Sequence, residues 1–475
     1  MRSLGMYILV PLAALVLAAG IWTARRESDA TISVNANQRF QIMDGWEVSG
    51  RLWEQNKVKN AYDPTWLAHR DEILHRLVNQ VGIDSLRVEV RSGFENPVDA
   101  WARFEGGVDS YTDWRKLRFQ KINDNADPNR RNDAGFHFSE LDYQMQNLAL
   151  PMRALLAKRG ERLHLNLCYV DFRPDGSKSD VEHALAPAEY AELILAAFDH
   201  LKNRFGITPD SFEIALEPEN TEHWRGKQMG RALVAVAARL RAAGYNPEFI
   251  APSTSSARVA PYYVDDMLSV PGASDLVSMI SFHTYDSPGD ATRAEIWRRA
   301  RRLGASTGML EHFPSTADEI QRDLTVANVS RWQPYGIANL DEPARNAQGA
   351  YLLVVDPTGP QGKAVRPSPS TGALSQYFRN VRRGAIRIAA RSDNSSKPAT
   401  AFINRNGSHV VIIAAQGAGE IRISGLPKGA YDISFAPEGG EPAPLLRTSV
   451  SDRLLVARIP GRGVWVARQQ NIEPE

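Results

Sequence analysis

The feature that most constrains this chain is an alternation that runs from about residue 36 to residue 384. Short runs of β-branched and aromatic residues are separated there by longer stretches with apolar residues three and four apart. A strand buried on both faces reads as a nearly continuous apolar run. The helix that carries the chain back to the next parallel strand reads as a 3.6-residue period. Candidate strands are Met43–Ser49, Ile83–Val90, Leu163–Val170, Phe212–Glu217, Phe249–Ser253, Val277–Tyr285, Gly308–Phe313 and Ala350–Asp356. Helical periodicity is clearest in Trp66–Val81, Leu141–Lys158, Ala188–Phe205, Gln228–Ala243, Arg293–Leu303 and Thr371–Val381. This is an α/β pattern, and eight strands with helices between them fit a closed (β/α)8 TIM barrel. No G-x-G-x-x-G follows a strand, as a dinucleotide-binding open sheet would need.

After residue 385 the helical period stops. Alternating runs at Ala401–Asn404, Val410–Ala414, Glu420–Ile423, Tyr431–Phe435, Leu454–Ile459 and Gly463–Ala467 are joined by turns such as Asn406-Gly407 and Gly439-Gly440. Period-two runs with Gly-rich turns make antiparallel sheet. The expected organisation is a barrel over 36–384 with an attached C-terminal β-sandwich over 385–470, joined by an early strand at 31–35. One long connection, from Arg91 to Phe138, carries Phe94, Trp101, Phe104, Tyr111, Trp114 and Phe119. Following a barrel strand, it is expected to rise over the C-terminal mouth, where its rings would suit sugar stacking, with about half of them packing the loop to itself instead.

The first thirty residues read differently. Arg2 precedes an apolar run from Tyr7 to Trp22, broken only by Pro11 and Gly20 and closed by Arg25 and Arg26. This is the layout of an export signal, at the length where a cleaved signal peptide and an inner-membrane anchor over residues 7–24 are both open. The chain is therefore expected to be exported, periplasmic or secreted. Its 56 Lys and Arg against 55 Asp and Glu leave no global field to hold nucleic acid, so a neutral partner is expected. Cys168 stands alone, which rules out an internal disulfide and suits a small buried hydrophobe.

Ionisable groups recur where candidate strands end. Arg87 and Glu89 close the second, Glu217, Glu219 and Asn220 follow the fourth, His283 and Tyr285 close the sixth, and Glu311 and His312 the seventh. A barrel gathers strand ends around one mouth, so these groups should converge. Two carboxyls facing each other across a mouth can hydrolyse a glycosidic bond. One protonates the leaving oxygen and the other attacks or activates water, with attack and retention expected when they stand about 5 Å apart. No Ser-His-Asp set and no metal-ligand spacing appears, and adjacent Glu311 and His312 would face opposite sides of a strand. No metal or cofactor is expected.

The chain also resembles a known family. Gln41-Ile42-Met43-Asp44-Gly45-Trp46-Glu47-Val48-Ser49 is similar to the Q-x-x-x-G-[FW]-G-x-S opening of glycoside hydrolase family 30. Tyr377-Phe378-Arg379-Asn380-Val381-Arg382-Arg383-Gly384-Ala385-Ile386-Arg387-Ile388 is similar to that family's passage into its side sandwich. The family lies in clan A and includes glucosylceramidases, β-1,6-glucanases, xylanases and β-1,6-galactanases. The resemblance spans nearly everything after the export segment and implies an oligosaccharide or polysaccharide substrate.

By position it makes Glu217 the general acid/base and Glu311 the nucleophile, and because the two would share one site Glu217 is expected to have a raised pKa. Arg87 and Tyr285 would support Glu311, His283 would complete the sixth-strand pair, and Trp46, Glu219 and Asn220 are expected to bind or support substrate. Three departures stand out: Leu216 replaces the asparagine before the acid/base, Glu47 replaces the second glycine of the opening, and the usual tryptophan of strand eight is missing. Leu216 is expected to face the sugar's 2-hydroxyl, and Glu47 to add a carboxylate near the mouth. The rival reading is a non-catalytic carbohydrate-binding or envelope protein derived from such a barrel.

Overall fold

The computed structural model describes residues 29–52, 55–173, 179–340, 349–360 and 362–470. The export segment, including the anchor expected at residues 7–24, lies outside the described residues. Among those described, no helix is long and apolar enough to cross a membrane. The chain divides into two compact units. One is Gln41–Gly384, and the other joins the described residues up to Phe40 with those from Ala385 onward.

A long first strand, β1 (Ala30–Ile42), precedes eight barrel strands: β2 (Gly45–Ser49), β3 (Ser85–Arg91), β4 (His164–Val170), β5 (Ser211–Glu213), β6 (Glu248–Thr254), β7 (Val277–Phe282), β8 (Ser306–Met309) and β9 (Arg331–Trp332). They close in sequence order, every neighbouring pair parallel, with β9 returning to β2 through Gly45↔Arg331 and Trp46↔Trp332. All seven residues of β3 and all seven of β4 are buried, which is why these strands read as unbroken runs. Helices Pro187–Phe205, Gly226–Ala242, Ala260–Leu268, Asp290–Leu303, Ala317–Thr325 and Thr371–Asn380 are among those that return the chain. Gly45 opens β2 at φ +119°, where a Cβ would stand 2.4 Å from the Asp84 carboxylate, so only glycine fits the first position of the barrel.

The eighth strand corrects the sequence reading. Residues 350–356 do not close the barrel. Their strand, β11 (Tyr351–Val355), pairs instead with β10 (Gly336–Leu340) and β12 (Val365–Pro367) in a separate three-stranded sheet. The true eighth strand is two residues long, and its lumen-facing member is Arg331, whose guanidinium reaches Ser211 Oγ at 3.2 Å. A strand so short and so polar leaves no apolar run to read. A tryptophan does stand on it, but Trp332 is turned outward and donates to Asp323 at 2.9 Å.

The second unit is a nine-stranded sheet built from β1, β13 (Ile386–Ser392), β14 (Ala399–Ile403), β15 (His409–Ala415), β16 (Gly419–Ser424), β17 (Gly429–Pro437), β18 (Ala443–Val450), β19 (Leu454–Ile459) and β20 (Gly463–Gln469). The order is β18-β17-β20-β15-β14-β13-β1-β16-β19. One core holds Ile32, Val34, Ile388, Val411, Ile423, Ile433, Leu455 and Trp465, contributed from across the sheet, which makes it a β-sandwich. β1 lies inside this sheet, running parallel to β16 from Ala30↔Ile421 to Ser33↔Ser424.

Candidate active site

Strand parity decides which side chains meet inside the barrel. On β3, Leu86 and Val88 point outward while Arg87 and Glu89 point into the lumen. Arg87 is fully buried, and its two terminal nitrogens divide their work. Nη1 donates to the Leu310 carbonyl at 3.0 Å, and Nη2 pairs with Glu311 Oε2. Two further carboxylates, Glu89 at 3.8 Å and Glu213 at 4.0 Å, surround the same guanidinium. Burial alone would lower its pKa, yet Glu311, Glu213 and Glu89 hold it well above the usual arginine value. The other Glu311 oxygen accepts from the Tyr285 hydroxyl at 2.9 Å, and that carboxylate in turn helps burial push the Tyr285 phenol upward. Glu311 is thus oriented through both oxygens, with its side chain 5% exposed.

Glu217 follows β5 after the strand has ended. Its backbone is left-handed, φ +46° and ψ +59°, a conformation rare for a residue with a Cβ and costly unless its surroundings impose it. Here its amide is tied to the Ser253 carbonyl at 2.9 Å. The turn aims the carboxylate across the mouth. Oε1 accepts from His283 Nδ1 at 3.0 Å, and Oε2 accepts from Asn220 Nδ2 at 2.9 Å.

One carboxylate oxygen of Glu217, one of Glu311 and a ring nitrogen of His283 all lie within 4.8 Å of one another. Such spacing would also suit a divalent cation. The counter-charge to Glu311 is already in place, however, as a buried arginine, and a second cation there would meet its repulsion. His312 turns away and pairs with Glu319 at 2.9 Å.

The raised pKa expected for Glu217 is reversed. Burial does push it up, but the His283 hydrogen bond and charge, the Asn220 amide and the nearby Arg51 together outweigh burial and bring it below the ordinary carboxylate value. His283 moves the opposite way. Burial lowers its pKa, and the bond to Glu217 with the charges of Glu311 and Glu217 raises it beyond that loss. The two groups form a coupled pair whose shifts favour the charged form of each.

The structure therefore brings together Glu217, Glu311, Arg87, His283, Tyr285 and Asn220. It leaves out two residues expected beside them. Trp46 is fully buried on the outer face of β2, donating its indole N–H to the Val381 carbonyl at 2.6 Å and packing on Phe378 with ring centroids 4.8 Å apart. Glu219 is occupied with its own loop, accepting from Ser255 Oγ and the Ser256 amide, each at 3.0 Å. Glu47 does face inward but is fully buried, 3.2 Å from Asn166 and in the field of Arg331, Glu213 and Arg87, so it fills the lumen and adds nothing to the mouth.

Sequence reasoning missed Arg51, which donates to the Tyr335 hydroxyl at 3.2 Å and contributes to the field on Glu217. Its position two residues past the end of β2 was the available signal. In the aromatic loop the expected self-packing is what the structure shows for at least three of the six rings. Trp101, Phe104 and Trp114 form a buried cluster of their own, with Phe104 stacked on Trp114 at 4.6 Å.

Leu216 is 1% exposed and packs with Phe119, Cys168 and Val170 in an apolar cluster. Placing an amide there would bury polar atoms among apolar ones. Leu216→Asn is accordingly expected to lose about 1–3 kcal/mol of stability, measured by denaturant unfolding. Unchanged stability together with a new dependence of rate on the sugar 2-hydroxyl would show that residue 216 reaches the substrate after all.

No protein-family model matches the chain, and no curated protein does. Solved structures do resemble it. The catalytic domain of a family 30 xylanase C from Talaromyces cellulolyticus superposes with a TM-score of 0.68 at 16% identity, covering 93% of this chain and 100% of the other. A conserved exported protein from Bacteroides fragilis gives 0.65 at 12% identity, covering 92% and 100%. The endo-β1,6-glucanase BT3312 gives 0.62 at 13% identity, covering 92% and 94%. At identities this low the agreement is one of backbone geometry, and it establishes the fold alone: a (β/α)8 barrel with a β-sandwich, as in the family 30 xylanase.

Proposed function

We propose that the protein is a retaining glycoside hydrolase that cleaves a β-glycosidic bond, with Glu311 as nucleophile and Glu217 as general acid/base. The observation that carries this reading is the pair itself. Two carboxylates from different strand ends approach within 4.8 Å, close to the separation of about 5–5.5 Å that suits a covalent intermediate and leaves no room for an inverting water. Their partners also differ in kind. Glu311 is held by a cation and a phenol, as a nucleophile that must stay charged requires. Glu217 is held by an imidazole, which can give up or take back a proton, and by an amide that orients its other oxygen.

In the first step a Glu311 oxygen bonds to the anomeric carbon as the bond to the leaving oxygen breaks, and the proton held by the Glu217–His283 pair passes through Glu217 to that oxygen. In the second, Glu217 takes a proton from water, the water oxygen bonds to the anomeric carbon, and Glu311 departs with its electron pair. Two inversions leave the configuration unchanged. No cofactor enters either step. The names of the similar structures, a xylanase and an endo-β1,6-glucanase, support a polysaccharide or oligosaccharide substrate. Action outside the cytoplasm is supported by the apolar run from Tyr7 to Trp22 and by likeness to an exported protein. Proton NMR of aryl β-glycoside hydrolysis tests the reading: the β-anomer of the sugar should form first. First appearance of the α-anomer would overturn the mechanism, and sugar binding without turnover across aryl β-glycosides, xylan and β-1,6-glucan would favour the carbohydrate-binding alternative.

A further inference from the structure

Strand β6 ends in a fault in its pairing. Its register against β7 runs through Ala251↔Ile280 and Pro252↔Ser281 and resumes at Thr254↔Phe282, so Ser253 is an extra residue that stands opposite none on β7. This is a β-bulge, and the bulged residue is left-handed, φ +53°. Such a backbone is costly for a residue with a Cβ and persists only where its surroundings hold it. The hold is visible here. The Ser253 hydroxyl lies 2.6 Å from the Ser281 hydroxyl on β7, one donating to the other, and both residues are fully buried.

The bulge sits between Glu217 and His283. The Ser253 carbonyl accepts from the Glu217 amide at 2.9 Å, and the next carbonyl, that of Thr254, accepts from the His283 amide at 2.7 Å. Two successive carbonyls of one strand thus carry the backbones of both residues, Glu217 on the β5 side and His283 on the β7 side. Glu217 is itself left-handed, so two strained residues lean on each other through a single backbone hydrogen bond. The contact that results is the one from His283 Nδ1 to Glu217 Oε1 at 3.0 Å. Glu311 takes its ion pair from Arg87, on a strand that β6 does not touch. A shift of the bulge would therefore fall on Glu217 and His283 and spare that ion pair.

We propose that Ser253 is a positioning residue for the general acid/base: its bulge, locked by the bond to Ser281, sets how Glu217 meets His283. The proposal rests on the reading of Glu217 as acid/base.

Ser253→Ala and Ser281→Ala break the lock from opposite sides. Each should lower kcat about ten-fold for aryl β-glycosides with poor leaving groups, against the roughly hundred-fold that a 1 Å misplacement can cost, and less than about two-fold for dinitrophenyl glycosides, with KM little changed. The double variant should lose no more than either single one, because the two hydroxyls act as one bond. NMR titration of His283, in protein labelled with 13C at histidine Cε1 and with the signal assigned by its loss in His283→Gln, needs no turnover. In both serine variants the His283 pKa should move down toward the ordinary 6.5. A loss equal across leaving groups, or an unmoved His283 titration in the folded variants, would overturn the proposal. Glu217→Gln separates the two claims. If it too shows no dependence on leaving group, the acid/base reading fails; if it shows that dependence and the serine variants do not, the positioning role alone fails. Ser281→Ala, which leaves the bulged residue unchanged, keeps the test open should Ser253→Ala fail to fold.

Discussion

Glu311→Gln is expected to lower kcat by about four orders of magnitude or more on every β-glycoside, whatever its leaving group. The amide matches the carboxylate in shape and can still accept from Tyr285, so the loss falls on bond formation at the anomeric carbon. An activated leaving group gives no relief, because it makes the proton dispensable but does not replace the missing nucleophile. Arg87 would then lose its nearest anion, retaining among the described residues Glu89 at 3.8 Å and Glu213 at 4.0 Å. Removing one partner of a buried pair also destabilises the fold. Steady-state kinetics should therefore be paired with near-ultraviolet circular dichroism, and a folded variant retaining even a tenth of the wild-type rate would remove Glu311 from the role.

Glu217→Gln is expected to show the complementary pattern. With a poor leaving group the loss should be about 10²–10⁴-fold, the usual worth of general acid catalysis. With a dinitrophenolate leaving group the first step needs no proton, so the intermediate should accumulate, and added azide should restore turnover by attacking it. The pH dependence follows from the pair. His283 lies above its ordinary 6.5 and Glu217 below its ordinary 4.5, so between those limits the two hold one proton for the leaving oxygen.

The sign is the same for stability. The His283 contribution is fully present below pH 6.5 and fades as pH rises through its elevated pKa, while the Glu217 contribution is present above pH 4.5 and fades as pH falls through its depressed one. The basic limb of kcat/KM should accordingly lie above pH 6.5, and in His283→Gln, where the proton must sit on Glu217 itself, it should move to lower pH. An unmoved basic limb would place the proton elsewhere.

What the sequence revealed and concealed has physical reasons. Seven barrel strands could be read because each is a buried run, and Glu217 and Glu311 could be singled out because barrel topology gathers strand ends. The eighth strand could not, since Arg331–Trp332 places a guanidinium in the lumen and sits between Ser330 and Gln333, while the wholly buried β11 imitates a barrel strand from another sheet. Trp46 and Glu47 were misplaced for a different reason. A strand buried on both faces has no polar alternation to fix its parity, and in β2 it is the charged residue that faces the lumen. Leu216 packs with Phe119, Cys168 and Val170, which are distant in sequence, so no local composition announces its surroundings. The loop aromatics were legible as a group, but sequence does not say whether rings meet a ligand or each other.

The most direct test of the account is covalent. Incubating the protein with a 2-deoxy-2-fluoro β-glycoside bearing an activated leaving group should slow the second step more than the first and trap the sugar on the nucleophile. Mass spectrometry of the digested protein should then find one added fluoro-sugar, on the peptide and side chain of Glu311, with no label in Glu311→Gln. Label on a different carboxylate, or none from a probe whose sugar the protein demonstrably hydrolyses, would contradict it.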